Sequence, residues 1–557
     1  MNRKNLTCAV LAGLAGVAGL AGTAQAVNLN PDGLGQVLLY PYYTANQGNQ
    51  TILSVVNTTD HAKAVKVRFL EGFNSREVLD FNLYLSHHDV WVAAIAAGEN
   101  APTLYIPDTS CTVPYLYGMG MDAGLGRGVQ PFLDLAYSDY TDQGGFDFTD
   151  GGPTGIIRAA EGHFEMIEMG TLVGESAVDV THVDGVPADC DELTSKWSEV
   201  IGGENGVWFN EANFGTDGCD IDDQACTDTE RASGGLFGGA AIVNPVNGTM
   251  FSYDAKAIQG FDKTQDGLHF EPGTIFPSLA SGSETDAWVF FGVPQNRAVE
   301  LDYNNSVDAV SAVFMHENIM NEYTVEEDLS ASTEWVLTFP TKAFYADPVA
   351  MTLTELDYEE EVCTGEGDDE VCEDVGFARA PFTELFAAED ADGNRVCEGV
   401  FLKTWDREEN TFSPTGPDPE IIPPTVSPAP PRPCQPGLEE ECTLETYFEL
   451  CNEVNVLRFG DNTNIFGTPT IDGQSLLLTV NDEFEKGWGR LNLAIDTKVE
   501  GGLRKDSEGL VGLPVAGFSA YEFENDFIEG DGVKAFYGGL FGHKGNVRRV
   551  ASERDMD

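Results

Sequence analysis

The sequence predicts a mainly β protein: an antiparallel β-sandwich with long acidic loops, one or two short helices and disulfide staples. Three observations carry that expectation. Apolar Val65, Val67 and Phe69 alternate with Lys66 and Arg68, and apolar Leu79, Phe81, Leu83 and Leu85 alternate with Asp80, Asn82 and Tyr84; a period of two is that of a strand with one buried and one solvated face. Strand-length runs recur along the chain with Gly, Pro, Asn and Asp between them. The cysteines fall largely at the ends of short acidic segments, as in an exported, cross-linked chain.

The chain opens with Arg3 and Lys4, an apolar stretch from Leu6 to Gly22, and Ala24-Gln25-Ala26. This is the pattern of a secretory signal peptide over residues 1–26, with Val27 as the first mature residue. Cys8 lies inside the apolar stretch, far from the cut, so no lipoprotein anchor is expected there. No later window approaches a spanning length. The expectation is a soluble exported protein, in the periplasm, on the cell surface or outside the cell.

Residues 27–201 read as an N-terminal β part. The runs Thr51–Val56, closed by Asn57–Asp60, and Val90–Ile95 join the two alternating segments as a four-strand meander with one solvated face. Such a sheet needs a second layer over its apolar side. Thr103–Pro107 and Phe164–Met169 continue the strands, Asp122–Thr154 is a long loop, and Asp191–Ile201 reads as a short helix. Residues 202–235, rich in Gly and Asp, are an insertion or a boundary. Residues 236–557 form a second β-rich part. In it Asn247-Gly248 marks a hairpin, Trp288–Phe291 a strand, and Asp308–Tyr323, capped by Ser306, the clearest helix. Trp335–Phe339 alternates again. Gly399–Lys403 and Leu450–Leu457 read as partners. Between them the Pro-rich segment 413–436 is bracketed by Cys397 and Cys451, which favours a stiff excursion from a hairpin over an interdomain linker. Ser475–Val480, Leu491–Ile495, Gly512–Phe518 and Val533–Tyr537 supply the closing strands.

Of eleven cysteines, all but Cys8 belong to the mature chain. Cys219 and Cys226 enclose Asp220, Asp222 and Asp223; Cys363 and Cys372 enclose Glu366, Asp368, Asp369 and Glu370; Cys434 and Cys442 enclose Glu439, Glu440 and Glu441. If those pairs form, Cys111 with Cys190 and Cys397 with Cys451 are the simplest partners left, although spacing alone does not fix connectivity.

Charge narrows the partners. The formal net charge is −62, and removing the signal peptide makes it two units more negative. Such a chain repels nucleic acid and anionic membranes alike. It attracts cations, either diffusely, as a salt-adapted surface, or at specific sites. Calcium is the ligand with positive support, because it takes clustered oxygens. Asp390, Asp392 and Asn394 present oxygens at alternate positions, as do Asp262, Thr264 and Asp266, with Gly267 following; Asp220, Asp222 and Asp223 are the third set. Gly273 stands where the second set would need its bidentate Glu, and plain Asp-Gly turns compete with all three.

Catalytic patterns are missing from the sequence. His316-Glu317-Asn318-Ile319-Met320 lacks the second histidine of a zinc helix, and His87-His88 before Asp89 reads as a turn. No GxSxG elbow, phosphate loop or dinucleotide fingerprint occurs. Paired carboxylates carry no information among 92 acidic residues.

The phrases Ser54-Val-Val-Asn-Thr-Thr59, Val67-Arg-Phe-Leu-Glu-Gly72, Trp335-Val-Leu-Thr-Phe-Pro-Thr-Lys342 and Gly512-Leu-Pro-Val-Ala-Gly-Phe518 resemble phrases recurring in exported bacterial β-rich proteins without assigned activity. The resemblance covers a minor part of the chain, implies a secreted β-rich fold, and brings no catalytic residues. The sequence therefore points to a non-enzymatic structural or surface-interaction protein, calcium-stabilised and self-assembling through sheet edges, with itself or other surface components as partners. The competing reading is a glycan-binding module or glycan-active hydrolase. That reading needs exposed aromatics on a sheet face, for which Trp91, Trp208, Trp288, Trp335 and Trp488 are the candidates.

Overall fold

A computed structural model describes residues 26–116, 128–138, 150, 152–198, 206–209, 228–264, 268–292, 295–354, 359–364, 371–386, 396–409, 411–412, 446–469, 475–478, 485–494, 503–505, 508–525 and 535–550. The chain is mainly β, and among the described residues its strand pairs are antiparallel except Val454–Phe459 with Ser475–Leu478. Among the described residues no helix is long and apolar enough to cross a membrane.

Four large sheets dominate the described residues, beside smaller ones of two or three strands. The first orders the strands Asn28–Leu29, Lys256–Gln259, Val37–Thr44, Glu161–Leu172, Ala62–Glu71, Glu77–Leu85 and Cys111–Val113. The second orders Thr249–Asp254, Leu236–Asn244, Gln50–Asn57, Val90–Ala97, Pro102–Ile106 and Gly128–Pro131. Both draw strands from either side of residues 202–235. The third contains Thr411–Phe412, Glu398–Asp406, Lys486–Asn492, Asn318–Thr324 and Lys544–Asn546, with Thr446–Leu450 alongside Glu398–Asp406. The fourth runs Ser475–Leu478, Val454–Phe459, Ala331–Thr338, Ala516–Asn525 and Ala535–Gly542.

The predicted meander is not what forms. Ala62–Glu71 and Glu77–Leu85 pair in the first sheet, while Gln50–Asn57 and Val90–Ala97 pair in the second. The chain changes sheet at Asn57–His61 and returns at Ser86–Asp89. Asn57 fastens the two crossings, its side-chain amide donating to the carbonyls of His61 at 2.7 Å and Ser86 at 2.8 Å.

Nor is the first sheet solvated on one side. Ala62–Glu71 and Glu161–Leu172 are buried throughout. One face packs Tyr40, Val67, Phe81 and Phe164 against Leu53, Val55, Trp91 and Ile95 of the second sheet. The opposite face contributes Leu39, Ala64, Ile167 and Met169 to a core that continues through the helix Ser306–Phe314 to Trp335, Leu457, Leu402 and Leu491 of the third and fourth sheets. Lys66 and Arg68, which alternation placed in water, are therefore buried, as is Lys63, and each has a carboxylate. Lys63 meets Glu168 at 2.6 Å, Lys66 meets Asp80, and Arg68 meets Glu77 at 2.8 Å and also Glu165.

Two further expectations change. The helix ends at Phe314, is capped by the Asn305 side chain rather than by Ser306, and gives way to the strand Asn318–Thr324. Ile319 and Tyr323 there face the core at a spacing that also suits a helix. Leu450–Leu457 divides between Thr446–Leu450, which pairs with Glu398–Asp406, and Val454–Phe459, which joins the fourth sheet. The short helix after Asp189 covers Cys190–Lys196.

Cys111 is bonded to Cys190, and Cys397 to Cys451. Cys363 and Cys372 stand opposite one another in a strand pair. Cys219, Cys226, Cys434 and Cys442 lie outside the described residues.

A polar seam joins the N-terminal sheets to the later ones. Arg158 donates to Glu71 at 2.7 and 2.9 Å and to Asp150 at 2.9 Å. Asn74 carries the network from Asp150 to Asp347, which also pairs with Arg76 at 2.8 Å. Nearby, Tyr42 and Thr468 donate to Glu161 at 2.9 and 2.8 Å. Removing one member of such a network strands buried charge. Arg158→Met should lower stability by about 3–5 kcal/mol, read as a drop in the thermal unfolding midpoint; an unchanged midpoint would show the seam to be dispensable.

Candidate functional site, an uncharged sheet face

The second sheet covers the first with one face and opens the other to solvent. Its strands alternate as half-buried strands must: Leu53, Val55, Trp91, Ala93, Ile95, Leu236, Ala240 and Ile242 point into the core. The opposite positions are Phe237, Gly239, Ala241 and Val243; Gln50, Ile52, Ser54 and Val56; Val90, Val92, Ala94 and Ala96; and Thr103 and Tyr105. None of these carries a charge. The edge strand adds Met250 and Ser252, and Asp254, opposite Gly239, is the one acid among the described strand positions on this side. The register sets Phe237 beside Val56 and Val56 beside Val90, and likewise Ala241 beside Ile52 and Ile52 beside Ala94. Ile52 is 45 % exposed, Phe237 43 % and Met250 61 %.

The backbone beneath is fixed from inside. Tyr40 donates its hydroxyl to the Ser54 carbonyl at 2.7 Å, passing where a Cβ on Gly238 would stand 2.0 Å away. Glycine is required there by that close approach. The face is thus a mostly apolar surface on a backbone held from within. It can exclude water against a second apolar surface. Its pattern was visible in the sequence as charge-free alternation through 237–243, 50–56 and 90–96, but only the register brings those runs side by side.

Of the calcium ligands read from the sequence, Asp262 and Thr264 fall among the described residues. Asp262 is buried, and its carboxylate accepts from the Thr264 hydroxyl at 3.0 Å. Asp266, Asp220, Asp222, Asp223, Asp390, Asp392 and Asn394 lie outside the described residues. Among the described residues, one metal-like grouping occurs, Cys397, Glu449 and Cys451, and its two sulfurs are joined to each other. His87 and His88 occupy a turn, His88 facing Asp60 at 2.8 Å on the exposed surface. Of the tryptophan candidates, Trp91, Trp208 and Trp335 are core residues, Trp288 is half-buried, and Trp488 is 37 % exposed. Trp488 lies against Trp405, which the sequence reading passed over although Phe401, Lys403 and Trp405 alternate on one strand.

Buried ionisable groups are tuned by their surroundings. Burial pushes His163 and His269 down to about 3, with Arg68 adding to the effect on His163, so both rings are neutral at physiological pH. Burial raises Glu161 to about 7 despite the hydrogen bonds from Thr468, Tyr42 and Asn46. Such a carboxyl binds its proton more tightly folded than unfolded. Its contribution to stability is complete below the ordinary carboxylate range and is lost as pH rises to about 7. Glu161→Gln mimics the protonated form at every pH. The wild-type urea midpoint should therefore fall more between about pH 5 and about pH 8 than that of Glu161→Gln, by on the order of 1–3 kcal/mol in stability. Equal falls would show that Glu161 titrates normally.

The chain matches no family model, no curated protein and no solved structure.

Proposed function

We propose that this chain is an exported, non-enzymatic structural or surface-interaction protein that associates with copies of itself through the uncharged face of the second sheet. One observation carries the reading: a chain of net charge −62 presents an open four-strand face without a charged side chain. Exposed apolar patches of this kind mark interaction surfaces. Two such chains repel strongly wherever their acids meet, and this face is where they can approach without opposing like charges. At strand spacings of about 4.8 Å and rises of about 3.4 Å per residue, the face covers about 500 Å². A symmetric pair then buries about 1,000 Å², the lower bound of a specific interface.

Salt supplies the signature. Screening weakens the repulsion between copies while leaving apolar burial intact, so the dimer fraction seen by light scattering should rise between about 0.05 and about 1 M NaCl, the range over which the Debye length contracts several-fold. Ala241→Glu opposes like charges across the pair and should leave a monomer at every salt concentration. A wild-type monomer throughout, or an Ala241→Glu dimer, overturns the reading. Calcium binding by the acidic loops is the second part of the proposal. A fall in molar mass on chelation that persists in Ala241→Glu assigns assembly to those loops instead.

A further inference from the structure

A second surface lies on the third sheet, away from the uncharged face. Along Glu398–Asp406 the outward positions are Phe401, Lys403 and Trp405, with Leu402 and Thr404 buried between them. Register sets Trp405 beside Trp488 and Lys403 beside Arg490. The two indoles stack with centroids 4.2 Å apart and planes 10° apart. The Lys403 ammonium and the Arg490 guanidinium lie 5.2 and 5.4 Å from the centre of the Trp405 ring. Phe401 stands beside Tyr447 on the next strand, ring centres 5.5 Å apart. Two aromatic pairs about 14 Å apart, four residues along one strand, thus flank a row of two cations.

A cross-strand indole stack stabilises a sheet without any ligand. The cations need a further reason. Lys486, on the same side of the same sheet, is paired with Glu326 at 2.6 Å, and Lys63 and Arg158 are likewise held by carboxylates. Lys403 and Arg490 form no ion pair among the described residues, in a chain where acids outnumber bases about threefold. Guanidinium and ammonium groups take carboxylates, and indole faces take the C–H faces of sugar rings. Trp488 and Tyr447 are open to solvent, at 37 % and 38 %. Glu322, opposite Trp488, offers acceptors to hydroxyl groups at one end of the row.

We propose that this surface binds a polysaccharide carrying carboxylate groups, a uronic-acid chain, with sugar rings against Trp488 and Tyr447 and a carboxylate on Lys403 and Arg490. The test uses the full chain, polygalacturonate, and the same polymer methyl-esterified so that its charge is removed, in about 0.3 M salt so that long-range repulsion is screened. Binding read by affinity electrophoresis should favour polygalacturonate over the ester at least tenfold. Lys403→Ala combined with Arg490→Ala should abolish that preference while leaving ester binding in place. Trp488→Ala should weaken both at least tenfold, and Trp488→Phe should retain much of the affinity. Failure to bind either polymer, equal binding of both by the wild type, or an unaffected Trp488→Ala overturns the proposal. Ala241→Glu should bind as the wild type does, so failure here and failure of self-association are read separately.

Discussion

The double covering of the first sheet is the constraint to which the rest of the molecule answers. Once Glu161–Leu172 and Ala62–Glu71 have protein on both sides, no polar group on them can turn to water. Lys63, Lys66, Arg68, Glu165 and Glu168 are tolerable only because each faces an opposite charge across the pleat. The rest of the chain is arranged so that this layer is sealed: the second sheet closes one side, and the segments carrying Trp197, Trp208 and His269, the helix Ser306–Phe314 and the third and fourth sheets build the core on the other. The seam through Glu71, Arg158, Asp150, Asn74 and Asp347 is the same rule applied where the two halves of the chain meet.

The class of this fold was legible because strand periodicity is local. Val65, Val67 and Phe69 declare a strand wherever it ends up. Which strands pair is decided at a distance, and there the reading failed: four consecutive strands separate into two sheets because Asn57 ties together the points where the chain crosses over. Lys66 and Arg68 read as solvent-facing because alternation does not reveal that their carboxylates arrive from Asp80, Glu77 and Glu165. Ile319 and Tyr323, four residues apart, fit a helical stripe and a strand face equally. The partnerships of Cys111 with Cys190 and of Cys397 with Cys451 were reachable only as a remainder, after the short acidic loops had been assigned.

The surfaces were harder still, because each is a juxtaposition rather than a motif. No single strand of the second sheet lacks charge in a way that stands out. The face becomes distinctive when Phe237, Val56 and Val90, and then Ala241, Ile52 and Ala94, are set in rows. Likewise Trp405 and Trp488 are far apart in sequence and adjacent in register. A strongly acidic chain has few places where anything other than a cation or a neutral surface can approach, so these departures from the prevailing charge carry more information than the acids themselves.

The bond between Cys397 and Cys451 sits at one end of the paired strands Glu398–Asp406 and Thr446–Leu450. It fixes their register independently of the sequence lying between them. Loop-closure entropy rises only logarithmically with length, about 0.6 kcal/mol for each doubling. Of the segment enclosed by that bond, residues 413–445, which lie between the paired strands, can therefore change in length or composition at little cost to the sheets. It is a natural insertion port, where evolution or an engineer can exchange whole modules while the scaffold stays the same.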